Sequence, residues 1–426
     1  MRRTPTLSRR ISRSGRPRDP APKVLSAFTG AGGLDLGLES AGFDTVGCIE
    51  NDTSARATLR ANRPRWRLLE PEDITDLARV LTPECVGLQL RELDLLVGGN
   101  PCQPFSKAAQ WSSNGKSGLR DPRSYCLDGF LKLARAFLPK VILMENVPGF
   151  IRGPSAAVPM IAETLNKFNA EVGTCYELQY RVLNAVDYGV PQRRERAILV
   201  AVRDGQVFNW PEPTHCGQPV RAWDALADLV AEDAPIASGR WADLLPSIPE
   251  GMNYQWHTDR GGGKPLFGYR TRYWSFLLKL AKNEPGWTIP AQPGPATGPF
   301  HWDSRPLTIR ELLRLQTFPS NWKVVGEYRT QLRQIGNATP PLLAEVMGRA
   351  LGEQLFGLAY ERKPEFAISR KRSVPGPSRA RPVARKYLDL EGEHPSHPGS
   401  GRGPKPIVKR EVLDAQEKSQ GFPSRG

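Results

Sequence analysis

No apolar run in this chain approaches the ~20 residues of a membrane helix, so a helical span is excluded. Cysteine is sparse: Cys48, Cys85, Cys102, Cys126, Cys175 and Cys216 are scattered, with no CxxC pair and no histidine cluster beside them. That spacing argues against a zinc centre or any other metal site and against a disulfide framework, and it fits a reducing cytosol. The basic N-terminus lacks the apolar segment of a secretion signal, so a cytoplasmic protein is expected. No internal repeat is present.

What is abundant is positive charge, with a formal net of +15 over 426 residues. Its distribution matters more than its size. Residues 1–23 and 361–426 each carry a net +7, which leaves +1 for residues 24–360. Both terminal stretches are rich in Pro, Gly, Ser and Arg and are expected to be disordered tails, unable to bury enough apolar surface to fold alone. A nucleic-acid surface on the body must then be a local patch, with the tails adding at most nonspecific phosphate attraction.

From residue 24 the pattern alternates short apolar runs with helical spacing. Val24–Phe28, Thr45–Ile49, the run ending at Val97 and Val141–Met144 read as strands, with a helix near 127–138 and a late strand pair at 176–183 and 197–202. This predicts an α/β fold, a doubly wound, mostly parallel Rossmann-like sheet. Residues 204–304 are rich in Trp, Pro, Gly and Arg with weak periodicity and read as a smaller, loop-rich module. Helical pattern returns near 308–315 and 341–355. The expected division is 1–23 tail, 24–203 first domain, 204–304 second domain, 305–360 returning to the first, and 361–426 tail.

Two side chains stand at the ends of successive buried strands. Cys102 lies in Gly98-Gly99-Asn100-Pro101-Cys102-Gln103, after Leu93–Val97, and Glu145 follows Val141–Met144. Open α/β sheets keep their ligands at such carboxyl ends, where a thiolate and a proton donor could meet a planar substrate. An inert buried thiol and a helix-capping carboxyl are the bland alternatives. Phe28-Thr29-Gly30-Ala31-Gly32-Gly33 links the first strand to the first helix. Asp35 stands where a dinucleotide fingerprint requires glycine, so an adenosine cofactor without a diphosphate is the better reading. Glu50 is placed for ribose hydroxyls, and Asp73 with Ile74 for an adenine. In Gln192-Arg193-Arg194-Glu195-Arg196, strand alternation would put Arg194 and Arg196 on one face, toward an anion or carbonyl in the cleft.

The ordered blocks Phe-x-Gly-x-Gly-Gly, Pro-Cys-Gln, Glu-Asn-Val, Gln-x-Arg-x-Arg, Arg305–Pro319 and Gly336-Asn337-Ala338-Thr339-Pro340-Pro341 resemble the bacterial DNA cytosine-5 methyltransferases over about residues 24–355. The resemblance implies S-adenosylmethionine as cofactor, held by Phe28, Gly30, Gly32, Gly33, Leu34, Glu50, Asp73, Ile74 and Asn337. It implies Cys102 attacking C6 of a flipped cytosine in a specific double-stranded DNA sequence. Glu145 would stabilise the base at N3, Arg194 would approach the cytosine carbonyl, and Arg196 would support Glu145. Residues 104–123 would form a lid, with Gln103 and Ser106 near the DNA. The second domain would read the target, with Arg260, Arg270 and Arg272 as candidate contacts. Asn100 before Pro-Cys and Thr339 in the last block depart from the usual pattern at positions that carry neither proton nor methyl. The implied protein is a monomer, either the modification enzyme partnered by a restriction endonuclease acting on the same site or an orphan methylase. A tRNA cytosine-5 methyltransferase and a catalytically inactive DNA-binding regulator are the alternative readings.

Overall fold

Strand alternation organises the first of two units. In the computed structural model, residues 20–101, 125–153, 156–231, 234–270, 273–366 and 373–394 are described. The chain divides into Met1–Val220 with Ile309–Arg370, and Arg221–Thr308 with Lys371–Gly426.

In the first unit, β1 (Lys23–Ala27), β2 (Asp44–Ile49), β3 (Leu95–Gly98), β4 (Val141–Asn146), β5 (Glu177–Asn184) and β6 (Glu195–Val202) form one sheet in the order 2-1-3-4-6-5. The first four are parallel, and β6 runs antiparallel to both β4 and β5. Side chains point to opposite faces in turn, so one sheet feeds two cores. Leu96, Ile142, Met144, Leu199 and Ala201 face α4 (Tyr125–Phe137) and α5 (Val158–Val172), placed after α1 (Gly33–Ser40), α2 (Thr53–Asn62) and the single turn α3 (Ile74–Leu77). Leu95, Val97, Leu143, Val200 and Val202 face the other way, toward α1 and α8 (Pro341–Leu355); α6 (Ile309–Leu315) and α7 (Tyr328–Asn337) precede α8.

The return of the chain to this unit is sealed by small residues. A Cβ on Gly37 of α1 would collide with Ala344 and the Pro341 carbonyl of α8, and one on Gly348 would come within 2.8 Å of Ala41. Backbone-to-backbone packing of this kind lets α8 lie directly on α1, burying most of its length.

The second unit has little regular structure. Its core gathers Leu244, Leu245, Ile248, Tyr254, Leu266, Phe267, Leu277 and Phe300. Tyr387, 3% exposed, joins the same core from the C-terminal stretch. The expectation that 361–426 is a disordered tail is corrected for residues 373–394: a segment too polar to fold alone can still add an aromatic anchor to a core that others build. Residues 395–426 and 1–19 lie outside the described residues, as do the proposed lid at 104–123 and Cys102, Gln103, Ser106 and Arg272.

Candidate active site

Register fixes the site before any side chain is considered. Ala27 pairs with Ile49 on one side and with Gly98 on the other, and Gly98 pairs with Met144. These four form one row across the sheet, so Glu50, Phe28, Gly99 and Glu145 follow it along one carboxyl edge. The strand order reverses between β1 and β3, the crevice where open α/β sheets bind ligands. Three strand spacings separate β2 from β4, about 14 Å along that edge.

At one end of the edge lies the glycine turn. Phe28 and the glycines Gly30 and Gly32 have φ of 55°, 56° and 80°. Phe28 is the costly one, since a non-glycine residue there is strained, and such strain collects at ligand sites. Glu50 explains how the turn is held. Its Oε2 accepts from the Gly30 amide at 2.7 Å and its Oε1 from the Asp52 amide at 2.8 Å. The carboxyl is 8% exposed, and burial pushes its pKa up. Each oxygen keeps a lone pair for a further donor. Gly32 packs on aromatic rings, a Cβ there falling 3.1 Å from Trp66 and 3.3 Å from Trp322. At Gly33 a Cβ would overlap the Thr339 carbonyl, which binds the start of α1 to the last sequence block. Leu34 is buried at the rim of the second core, and Asn337 is exposed at the end of α7.

The adenine candidates divide. Asp73 caps α3, its Oδ1 accepting from the Thr75 amide at 2.8 Å and hydroxyl at 2.6 Å, and the Thr75 hydroxyl is the main cause that holds its pKa low. Ile74 is 4% exposed and packs in the first core. Its side chain supports the α3–α4 contact.

At the other end, Glu145 is buried beside Gly99, whose Cβ would lie 3.5 Å from Glu145 Oε2. Arg196 reaches Glu145 Oε1 with its Nε at 2.8 Å. The neighbouring Asn146, which sequence reasoning quoted only as part of a block, donates from Nδ2 to the Asn100 carbonyl at 3.0 Å. That bond ties the end of β4 to the loop that continues through Pro101 into Cys102.

Arg194 lies one residue before β6, which starts at Glu195. It is fully buried, and its Nη2 donates to the Gly336 and Ala338 carbonyls at 2.8 and 2.9 Å. Gln192 and Gln316 extend this support, Gln192 Nε2 to Gln316 Oε1 at 3.1 Å and Gln316 Nε2 to the Ile335 carbonyl at 2.6 Å. The arginine therefore braces the turn carrying Asn337.

Asp35, read from the sequence only as a departure from a glycine pattern, is 0% exposed in the first turn of α1, with the Ser26 hydroxyl opposing the effect of its burial. Burial raises its pKa to about 7. In the second unit, Arg260 is exposed with its Cζ 3.9 Å from the Tyr269 ring centroid. Arg270 is 3% exposed, so its side chain is not offered at the surface as a base reader. Among the described residues no helix is long and apolar enough to cross a membrane, and no His/Cys/Asp/Glu group could hold a metal.

Comparison with known proteins gives a family and a likeness of fold. The profile of the C-5 cytosine-specific DNA methylase family matches residues 22–353. The Type II methyltransferase M.SacI of Streptomyces achromogenes is 36% identical over 370 residues, covering 78% of this chain and 93% of that one. M.Sau96I of Staphylococcus aureus is 33% identical over 348 residues, covering 77% and 75%. The structure of the S. pombe Dnmt2 methyltransferase superposes with a TM-score of 0.53 at 18% identity, over 79% of this chain and 99% of that one, a likeness of fold.

Proposed function

This chain belongs to the C-5 cytosine-specific DNA methylase family and is a DNA cytosine-5 methyltransferase, and we propose that it works through Cys102 and Glu145. The reaction is S-adenosylmethionine-dependent, and the residues present suit that group. The glycine turn leaves bare backbone beside a buried carboxylate whose oxygens retain acceptor capacity. When bound, the cofactor supplies an electrophilic methyl group; Phe28, Gly30, Gly32 and Gly33 would approach it by backbone, Glu50 would accept from ribose hydroxyls, and Asp73 and Asn337 would border the pocket.

A base inside a duplex is out of reach, so the cytosine is extruded into the site first. The Cys102 thiolate bonds to C6, and the electrons of the C5–C6 double bond move toward C5 while Glu145 donates a hydrogen bond or proton to N3. C5, now enamine-like, takes the methyl. A base then takes the C5 proton, the double bond re-forms and expels the thiolate, and N3 returns any proton it received to Glu145. Arg196 holds the Glu145 carboxyl in place for N3. The observation that carries this reading is the Asn146–Asn100 bond, which couples the Glu145 strand to the segment leading into Cys102. The substrate is double-stranded DNA at a specific sequence, met by the second unit through Arg260, and the enzyme acts in the cytoplasm as a monomer, paired with an endonuclease of the same target.

A duplex containing 5-fluorocytosine tests the mechanism. With the methyl donor present, fluorine in place of the C5 proton blocks the last elimination, so a covalent adduct at Cys102 should accumulate. Cys102→Ser should bind cofactor and give neither adduct nor product. Full turnover by that variant would overturn the assignment.

A further inference from the structure

The C-terminal stretch lies past the end of the family match at residue 353, yet residues 373–394 are built into the second unit. The Tyr387 ring stacks on Trp241, centroids 5.7 Å apart at 20°, and its hydroxyl donates to the Arg240 carbonyl at 2.6 Å. Trp241 in turn meets Phe267 edge-on at 5.1 Å. Phe267 closes the base of the 258–266 loop, where the Leu266 and Phe267 amides both donate to the His257 carbonyl at 2.9 and 3.0 Å. The far leg of the same loop is gripped directly. Lys264 Nζ pairs with Glu391 Oε2 at 2.6 Å, and the Gly392 amide donates to the Pro265 carbonyl at 3.1 Å. Upstream, Ser378 joins the buried Glu250–Lys282 pair, its amide donating to Glu250 Oε1 at 2.9 Å.

We propose that residues 373–394 are a strap that sets the position of the Arg260–Lys264 loop for DNA binding, with Tyr387 as the positioning residue. This rests on the reading that the second unit contacts DNA. The Lys264–Glu391 pair is half exposed and contributes little alone, about 0–1 kcal/mol for such pairs. The weight therefore falls on Tyr387, a buried aromatic whose stacking reaches the loop stem through two rings. The loop itself carries charge a phosphate backbone needs, an exposed guanidinium at Arg260 and an ammonium at Lys264, on a frame held by the Gly261 and Gly263 amides donating to the Thr258 and Trp256 carbonyls at 3.0 and 2.9 Å.

The full-length enzyme is assayed on plasmid DNA, with methylated positions read by sequencing. Tyr387→Ala should raise KM for DNA about tenfold and relax the target preference, with kcat and cofactor affinity held. Tyr387→Phe keeps the stacking and should restore most of the loss, whereas simple loss of fold would lower kcat and cofactor binding together. A Tyr387→Ala enzyme with unchanged DNA KM and target preference overturns the proposal, provided Arg260→Ala does weaken DNA binding. Should Arg260→Ala also leave DNA binding intact, the underlying reading fails and the strap proposal with it. If the alanine variant does not fold, Tyr387→Leu gives the same decision: raised KM at constant kcat supports the strap, and unchanged KM sinks it.

Discussion

Arg196 meets Glu145 from the adjacent antiparallel strand, Nε to Oε1 at 2.8 Å, with the two side chains 12% and 7% exposed. A carboxyl held this way presents its other oxygen in one direction. Glu145→Gln keeps the shape but cannot pass a proton, and general acid–base steps contribute roughly 10²–10⁴ in rate. Its single-turnover rate should fall by about that factor with cofactor binding intact. Arg196→Ala, which leaves the carboxyl in place but unsteered, should lose about tenfold or more. Wild-type rates in both would remove this pair from the chemistry.

Arg194 should behave differently although it lies two residues away. Arg194→Met takes the Arg194 donor from the buried Gly336 carbonyl and leaves the Ala338 carbonyl with Gln316 Nε2 at 3.3 Å, a loss of about 1–3 kcal/mol. Denaturant unfolding should register that loss, and KM for the cofactor should rise as the Asn337 turn loosens. A variant with wild-type stability and a collapsed kcat would instead put the guanidinium on the substrate.

The glycines of the first turn are not equivalent. Gly33→Ala drives a methyl into the Thr339 carbonyl, a clash with backbone that neighbouring side chains cannot relieve. It should lower the melting temperature sharply and abolish the thermal shift given by the cofactor. At Gly30 the nearest atom to an added Cβ is 3.8 Å away, so Gly30→Ala costs only the left-handed backbone, about 1–2 kcal/mol. Equal melting temperatures for the two variants would contradict this ranking.

Asp35 gives the fold a pH dependence. Its pKa rises from the usual 3.8 to about 7 on folding, so between these values the folded chain holds a proton that the unfolded chain has released. Stability from this group is fully present below about pH 4 and is lost as pH rises toward 7. Asp35→Asn, neutral throughout, should flatten that part of the profile. Melting curves from pH 5 to 8 check it, and identical slopes in the two proteins would refute it.

Much of the fold was legible because buried parallel strands are continuous apolar runs. The runs ending at Ile49, Val97 and Met144 fall on β2, β3 and β4, and those strands carry Glu50 and Glu145 to one edge. What Arg194 holds was not legible, because its carbonyl partners at Gly336 and Ala338 lie more than 140 residues later in the chain. Arg270 was misplaced for a related reason: motif position says which loop a residue is on, while burial depends on packing partners distant in sequence. The strap was hidden by its composition. Tyr387 is one aromatic among arginines, prolines and glycines, and its worth depends on Trp241, almost 150 residues earlier. Asp35 was noticed only as a departure from a glycine pattern, since a lone acidic residue in a first helical turn ordinarily faces water.

The row through Ile49, Ala27, Gly98 and Met144 also sets how the reaction centre can go wrong. Sliding β4 by a single residue would carry Glu145 about 3.3 Å along the strand and invert it to the opposite side of the sheet. Donor and acceptor halves of the chemistry are thus spaced in whole lattice steps of hydrogen-bonded backbone.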